Sequence, residues 1–187
     1  LGAAGLDEEE DLFSPVPRAF RRRLVWLGIN LATAFLASSV VGQFQGTIDR
    51  IVALAVLMPI VAGMGGNAGT QVLALMVRGL ALGQVGASNA RTLLWKELRV
   101  AALNGLTLGS VVGLATWAWF RDPTLALVIG IAMTLNLLFA ASAGVLVPMT
   151  LKRMNLDPAL AGGVILTTVT DVMGFLAFLG LATLILL

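Results

Sequence analysis

The sequence of 187 residues contains no cysteine, no histidine and no tyrosine. Without cysteine there are no disulfides, no thiolate metal ligands and no cysteine redox chemistry. Without histidine there is no imidazole ligand, no histidine proton relay and no Ser-His-Asp triad. We therefore expect no enzymatic activity. Any metal ion must be bound by oxygen atoms, which favours hard cations such as Mg²⁺ or Ca²⁺.

Charged residues are also scarce. They make up 12% of the chain, against about 25% in a typical soluble domain, and hydrophobic residues make up 58%, against roughly 45–50%. The twelve Lys and Arg and the ten Asp and Glu are clustered, so long stretches carry no charge. A soluble domain could not cover its surface with so few ionisable groups. The composition therefore predicts an integral membrane protein.

Residues 1–23 form a polar segment. An acidic block at residues 7–11 is followed by a proline-containing break at residues 14–17 and by a basic block at residues 18–23. The sequence starts without an initiator Met and without a signal-peptide pattern. These features favour a cytosolic lead in front of a membrane domain excised from a longer sequence.

Five hydrophobic spans follow, and they predict an all-α integral membrane domain over residues 24–187. A helix needs about 20 apolar residues to cross the roughly 30 Å hydrocarbon core of a bilayer. The spans cover about residues 24–41, 51–77, 98–120, 124–151 and 158–187. Each is long enough or nearly so, and the longer ones must tilt, bend or break.

The basic residues predict the orientation, because Lys and Arg concentrate on the cytoplasmic side of membrane proteins. With the N-terminus in the cytoplasm and the C-terminus outside, ten of the twelve basic residues lie inside. Only Arg50 and Arg121 then lie outside, and each is adjacent to an aspartate. Four tryptophans fall at the predicted membrane boundaries, where an aromatic belt is expected: Trp26, Trp95, Trp117 and Trp119.

The connection between the second and third spans, residues 78–96, is long. It predicts either a short helix on the inner membrane surface or an unstructured cytosolic loop, and the sequence favours neither.

Small and polar residues predict how the spans pack. Gly105, Gly109 and Gly113 recur every four residues and form a flat ridge, for which packing within the chain is favoured over a contact between subunits. Polar residues in the spans are expected to form hydrogen bonds between helices, among them Asn30, Ser39, Thr107 and Asn136.

One carboxylate differs from all the others. Of the ten Asp and Glu, only Asp171 lies within a span, at about 20 Å from the cytosolic start of the fifth span. An ionisable group at that depth costs at least about 2.5–3.5 kcal/mol. The favoured interpretation is a carboxylate that faces a watery path and meets a cation. The alternative is a protonated aspartate that donates a hydrogen bond to another helix.

Small and hydroxyl-bearing residues surround Asp171 on the fifth span. They leave room for water and supply oxygen atoms, including the backbone carbonyl of Thr167 one turn earlier. This set comprises Gly163, Thr167, Thr168, Thr170 and Gly174. A single carboxylate is a weak site for a divalent ion, whereas two carboxylates across a two-fold axis would suit it. A central pore site therefore predicts a homodimer.

Residues 59–69 of the second span include a proline and four glycines. This composition predicts an interrupted helix that lines a water-filled cavity, as in transporters with broken helices. The alternative is a glycine-packed kink in which Asn67 and Gln71 form hydrogen bonds with neighbours. Counted from Ile51, Asn67 lies about 24 Å deep, in the cytosolic half and below the level of Asp171.

At these two motifs the sequence resembles the membrane domain of the MgtE family of Mg²⁺ channels, over nearly all of residues 18–187. The matching motifs are residues 59–71 with the following Arg78-Gly79-Leu80-Ala81, the Asp157-Pro158 pair that opens the fifth span, and Thr170-Asp171-Val172-x-Gly174. The resemblance implies a homodimer with a pore between subunits, lined largely by the second and fifth helices. It implies a central ion site formed by Asp171 and the Thr167 carbonyl.

The resemblance also implies how ions pass and how passage is regulated. Mg²⁺ would be recognised with much of its hydration shell retained. The implied pore lining comprises Gly66, Asn67, Gly69 and Gln71 near the cytosolic gate, and Gly163, Thr168, Thr170 and Gly174 on the fifth span. Many members of the family carry cytosolic regulatory domains, including a CBS pair, ahead of the membrane part. Such a domain N-terminal to residue 1 is a candidate partner.

The predicted function is a five-span, homodimeric channel of the cell membrane that passes Mg²⁺ into the cytoplasm along its electrochemical gradient. One alternative is a secondary transporter that exchanges a divalent cation for Na⁺ or H⁺. A second is a membrane scaffold that transports nothing, in which Asp171 is only a buried hydrogen-bond donor.

Overall fold

The computed structural model describes residues 15–86 and 88–187, and at positions 22 and 160 it describes the backbone alone. The predicted acidic block at residues 7–11 lies outside these described residues. The helices are α1 (Val16–Gln43), α2 (Gln45–Arg50), α3 (Ala53–Ala81), α4 (Ala90–Phe120), α5 (Pro123–Arg153) and α6 (Pro158–Leu186).

Five of these helices, all except the six-residue α2, are long and apolar enough to cross a membrane. This confirms the predicted number of candidate spans and the all-helical membrane class. Two aspartates fix helix starts at the predicted places. The Asp122 side chain accepts hydrogen bonds from the backbone N–H groups of Thr124 and Leu125, and Asp157 accepts one from Ala159. A proline in the first turn follows each aspartate.

The connection before α4 corrects both expectations for residues 78–96. The third helix continues to Ala81 and the next begins at Ala90, so the connection between them is short. The segment around Trp95 is the first part of α4 itself. Residues 90–97 contain neither proline nor glycine, and a continued helix keeps their backbone groups hydrogen-bonded.

α3 corrects the prediction of an interrupted helix, because it runs without a break from Ala53 to Ala81 with Pro59 inside it. In a membrane a continuous helix satisfies nearly every backbone group internally, and this outweighs the low helix propensity of glycine in water. Two of its glycines instead permit close contacts. A β-carbon at Gly65 would overlap the amide of Asn136, and one at Gly69 would lie 2.9 Å from Leu166.

α5 lies at the centre of the bundle and packs against α3, α4 and α6. The glycine ridge of α4 packs on it, which confirms packing within the chain. A β-carbon at Gly105 would lie 2.9 Å from Thr134, and one at Gly109 would lie 2.6 Å from the carbonyl oxygen of Gly130. α1 contacts only α6 and α2 in the described part of the chain, so it is the most loosely attached of the five long helices.

The polar residues in the spans behave differently from one another. The side chain of Asn136 donates to the carbonyl oxygen of Val61 on α3 at 2.8 Å, so it forms the expected bond between helices. Asn30, Ser39 and Thr107 instead donate to carbonyls of their own helices, three or four residues earlier. The expectation of interhelical bonds is therefore wrong for these three. A hydroxyl or amide can use the backbone of the preceding turn as acceptor.

Candidate functional site

Asp171 lies close to the middle of α6, which runs from Pro158 to Leu186. Its side chain is half-buried. Within the described residues, no hydrogen bond or ion pair to its carboxylate is recorded. Asp122 and Asp157, by contrast, are helix caps. The carboxylate of Asp171 is therefore available to an external partner, such as a cation or water.

The backbone carbonyl of Thr167, one turn before Asp171, is already an acceptor. The hydroxyl of Thr170 donates to it at 3.1 Å, in addition to the regular helical bond. Because a carbonyl oxygen has two lone pairs, a cation that contacts it directly would compete with this hydroxyl. The side chain of Thr167 is exposed, but its hydroxyl donates back to the carbonyl of Gly163 at 2.9 Å.

Three residues that the resemblance assigned to a pore lining are buried within the single subunit. They are Gly69, Thr170 and Gly174. Gly69 packs under Leu166, and Gly174 lies against Asn136. Their side-chain positions reach no open surface of this subunit. The two glycines let helices approach one another, and Thr170 bonds to its own helix. A pore-facing role for these three residues stays a prediction.

α3 presents an exposed stripe of small and polar residues, which we call the α3 stripe. It consists of Gly63, Asn67, Thr70 and Ala74, spaced at i, i+4, i+7 and i+11. Gly66 is half-buried beside it. Asn67 was expected at such a surface, whereas Thr70 was not singled out. Its spacing of three from Asn67 and seven from Gly63 is the signal that would have found it.

The register between α3 and α6 relates this stripe to Asp171. The two helices pack antiparallel: Leu73 covers Gly162, and Leu166 covers Gly69. A residue four positions later on α6 therefore lies level with a residue four positions earlier on α3. By the same register, Asn67 lies level with the turn before Asp171. The prediction that Asn67 lies on the Asp157 side of Asp171 agrees with this register.

Gln71 lines a different surface from the α3 stripe. It borders a cavity of about 140 Å³ between α3, α4 and α5, together with Glu97 and Asn104. Glu97 is buried, and one of its oxygens lies 3.1 Å from the Lys96 ammonium group. Glu97 directly precedes the predicted third span, and nothing in the sequence indicates that it is buried. The other lining residues are apolar, and the volume is large enough for several water molecules beside these three polar side chains.

Asn136 joins three helices next to the Asp171 region. It is fully buried on α5, bonded to α3 through the carbonyl of Val61, and fitted between Gly65 of α3 and Gly174 of α6. Gly174 follows Asp171 by three residues, so the same contact that bonds α5 to α3 also positions the Asp171 turn of α6. The Oδ1 atom of Asn136 has no hydrogen-bond partner among the described residues.

One subunit by itself offers few metal ligands. In the part of the chain that the structure describes, no three Asp, Glu, His or Cys side chains lie close enough together to bind a metal ion. Asp171 is therefore an isolated carboxylate within its own subunit. A divalent cation bound at this level needs further oxygen atoms, from water or from a second chain.

Comparison with known proteins gives consistent matches. Residues 58–181 match the family model MgtE, described as a divalent cation transporter. The chain is 32% identical over 162 residues, 87% of its length, to the magnesium transporter MgtE of Bacillus subtilis (strain 168). It is 34% identical over 164 residues, 88% of its length, to the protein of the same name from Thermus thermophilus. These matches span 36% of each relative's own length.

A third relative, the magnesium transporter MgtE of Enterococcus faecalis, is 32% identical over 182 residues, which is 97% of this chain and 40% of that protein. The chain thus spans well under half the length of the curated relatives that it matches. The matched segment covers α3 almost completely, all of α4 and α5, and most of α6.

Proposed function

The chain belongs to the MgtE family of divalent cation transporters, and we propose that it conducts Mg²⁺ through the membrane into the cytoplasm as a homodimeric channel. The observation that carries the proposal is Asp171: a half-buried carboxylate near the middle of a membrane helix, with no recorded partner among the described residues. Such a group is costly unless it meets water or a cation.

The ion site that we propose is shared by two subunits. Two copies of Asp171 across a two-fold axis carry two negative charges, which balance one Mg²⁺. Mg²⁺ keeps several of its waters when bound, so these carboxylates would contact it directly or through water. The Thr167 carbonyl would act mainly through such water, since the Thr170 hydroxyl already uses one of its lone pairs.

The proposed path toward the cytoplasm follows the α3 stripe. Asn67 exposes its amide on this stripe, and hydrocarbon solvates an amide poorly, which favours a water-filled path beside it. Thr70, whose hydroxyl donates to the Gly66 carbonyl at 2.8 Å, lies on the same stripe. With Gly66 beside them and Gly163, Thr167 and Thr168 on α6, they form the proposed lining. Gln71 borders the cavity between α3, α4 and α5 instead and lies outside the proposed lining.

Orientation and regulation complete the proposal. The N-terminus lies in the cytoplasm, as the ten-to-two distribution of basic residues favours. The membrane is the cell membrane, in which the chain is a multi-pass protein. A cytosolic regulatory domain that closes the pore is the proposed partner, in line with the greater length of the relatives.

The test is Mg²⁺ uptake by the purified chain in liposomes that contain a Mg²⁺-sensitive dye. A channel takes up Mg²⁺ with equal Na⁺ and equal pH on both sides, and an inside-negative K⁺ diffusion potential accelerates uptake. An exchanger takes up Mg²⁺ only while Na⁺ or H⁺ leaves, and exchange of one Mg²⁺ for two such ions does not respond to the potential. We expect uptake without a Na⁺ or pH gradient, and we expect the potential to accelerate it. Uptake that appears only when a Na⁺ or pH gradient is imposed would contradict the channel and favour the exchanger.

A further inference from the structure

The first four turns of α4 carry an open groove of about 610 Å³, which we call the α4 groove. It is lined by residues on one face of the helix: Thr92, Trp95, Lys96, Arg99, Val100 and Leu103. Trp95 is 54% exposed and Leu103 is 67% exposed. Basic and aromatic side chains therefore lie at one end of the groove, and exposed apolar side chains lie at the other.

The position of the groove along α4 places it at a membrane boundary. α4 has 31 residues, so it is about 46 Å long, whereas the hydrocarbon core is roughly 30 Å thick. Trp95 and Trp117 are 22 residues apart, about 33 Å along the axis, and are spaced as two aromatic belts would be. Trp95 then lies at the interface, with Val100 and Leu103 at the level of the acyl chains.

The groove carries a surplus of positive charge. Lys96 and Arg99 line it, and Arg91 is exposed one turn before Trp95. Glu97, which pairs with Lys96, is buried beside the groove and is not part of its lining. For Arg99, no ion pair is recorded within residues 15–86 and 88–187. Arg99 is long enough to extend its guanidinium toward the lipid headgroups from a position one turn deeper than Trp95.

We propose that the α4 groove is a binding site for an anionic phospholipid. The negatively charged phosphate of a headgroup without a compensating positive charge contacts Lys96 and Arg99, and one acyl chain lies along Val100 and Leu103. A guanidinium and an ammonium group side by side match a phosphodiester in charge and hydrogen bonding. An acidic peptide would match the basic end, but it would leave the apolar end at acyl-chain depth uncovered. This site is separate from the ion path and does not depend on the proposed conduction of Mg²⁺.

The experiment uses a variant of the full chain that keeps Trp95 as its single tryptophan, with the other three replaced by phenylalanine. It is reconstituted in phosphatidylcholine vesicles with increasing fractions of brominated phosphatidylglycerol, or of brominated phosphatidylcholine as the neutral probe. Bromine quenches only a nearby indole. We expect half-maximal quenching at a clearly lower fraction of the anionic lipid. Removal of one positively charged side chain from the groove is expected to weaken the preference for the anionic lipid about fivefold.

Variants localise the effect. Arg99→Gln keeps the Lys96–Glu97 pair and is expected to shift half-maximal quenching about fivefold, and Lys96→Gln/Arg99→Gln about 25-fold. Arg99→Lys should retain the preference. The matched control is Lys152→Gln/Arg153→Gln, which removes two exposed charges from the end of α5 and should leave quenching of Trp95 unchanged. Equal quenching by the two brominated lipids, or an equal shift in the control, would overturn the proposal.

Discussion

Asp171→Asn is expected to lower the rate of Mg²⁺ uptake into liposomes at least about a hundredfold. Asparagine keeps the shape and hydrogen-bonding capacity of the side chain but removes its negative charge. At about 5 Å and an effective dielectric constant near 20, a dication and one carboxylate attract by several kcal/mol, and each 1.4 kcal/mol is a factor of about ten. The loss occurs twice in a dimer, since both subunits contribute the residue.

The matched control is Asp122→Asn, the same change of charge at the start of α5. Asparagine is as good an N-cap as aspartate, so this variant is expected to fold and to take up Mg²⁺ at the normal rate. Both variants should elute as the same monodisperse species from size-exclusion chromatography. If Asp171→Asn folds and transports normally, Asp171 serves only as a hydrogen-bonding group and does not form the ion site.

Gly65→Ala is expected to destabilise the protein by several kcal/mol and to lower its unfolding temperature in detergent. The added methyl group would overlap the amide of Asn136, which must then move. Overpacking costs about 1–3 kcal/mol, and a buried amide that loses its bond to the Val61 carbonyl costs about as much again. Because Asn136 also contacts Gly174, the turn that carries Asp171 shifts as well, so Mg²⁺ uptake is expected to fall.

The neighbouring residue supplies the control, since a β-carbon at Gly66 would meet nothing within 4 Å. Gly66→Ala is expected to leave the unfolding temperature unchanged or to raise it slightly, because alanine favours the helix. The double variant Gly65→Ala/Asn136→Ala lacks the amide that the methyl group at position 65 would overlap. The double variant should therefore be no less stable than Asn136→Ala alone, so the two losses of stability do not add. Additive losses would show that Asn136 does not account for the effect of Gly65.

The features predicted correctly from the sequence are those that depend on the chain alone. The number of spans follows from the hydrocarbon thickness, which sets a minimum length. The starts of α5 and α6 follow from local chemistry at Asp122 and Asp157, each followed by proline. The position of Asp171 near the middle of α6 follows from counting residues along one helix. The packing of the α4 ridge was favoured because glycine at every fourth residue has one main use in a membrane bundle.

The features that could not be predicted depend on neighbouring helices. Glycine propensity measured in water suggested a break in α3, but the membrane requires satisfied backbone groups and neighbouring side chains fill the space above Gly65 and Gly69. Thr170 shares a helix with Asp171 and carries a suitable hydroxyl, yet it is fully buried. Which side of a helix is covered depends on packing partners that are distant in sequence.

The most direct test of the central claim, that two copies of Asp171 form one ion site, is to mix subunits. Wild-type chains and Asp171→Asn chains are co-expressed in known ratios, purified together and reconstituted, and Mg²⁺ uptake is measured per protein. If both carboxylates are needed, only dimers of two wild-type chains conduct, so equal amounts of each chain give about a quarter of the wild-type uptake. About half of the wild-type uptake at that ratio, and a linear dependence throughout, would contradict the shared site.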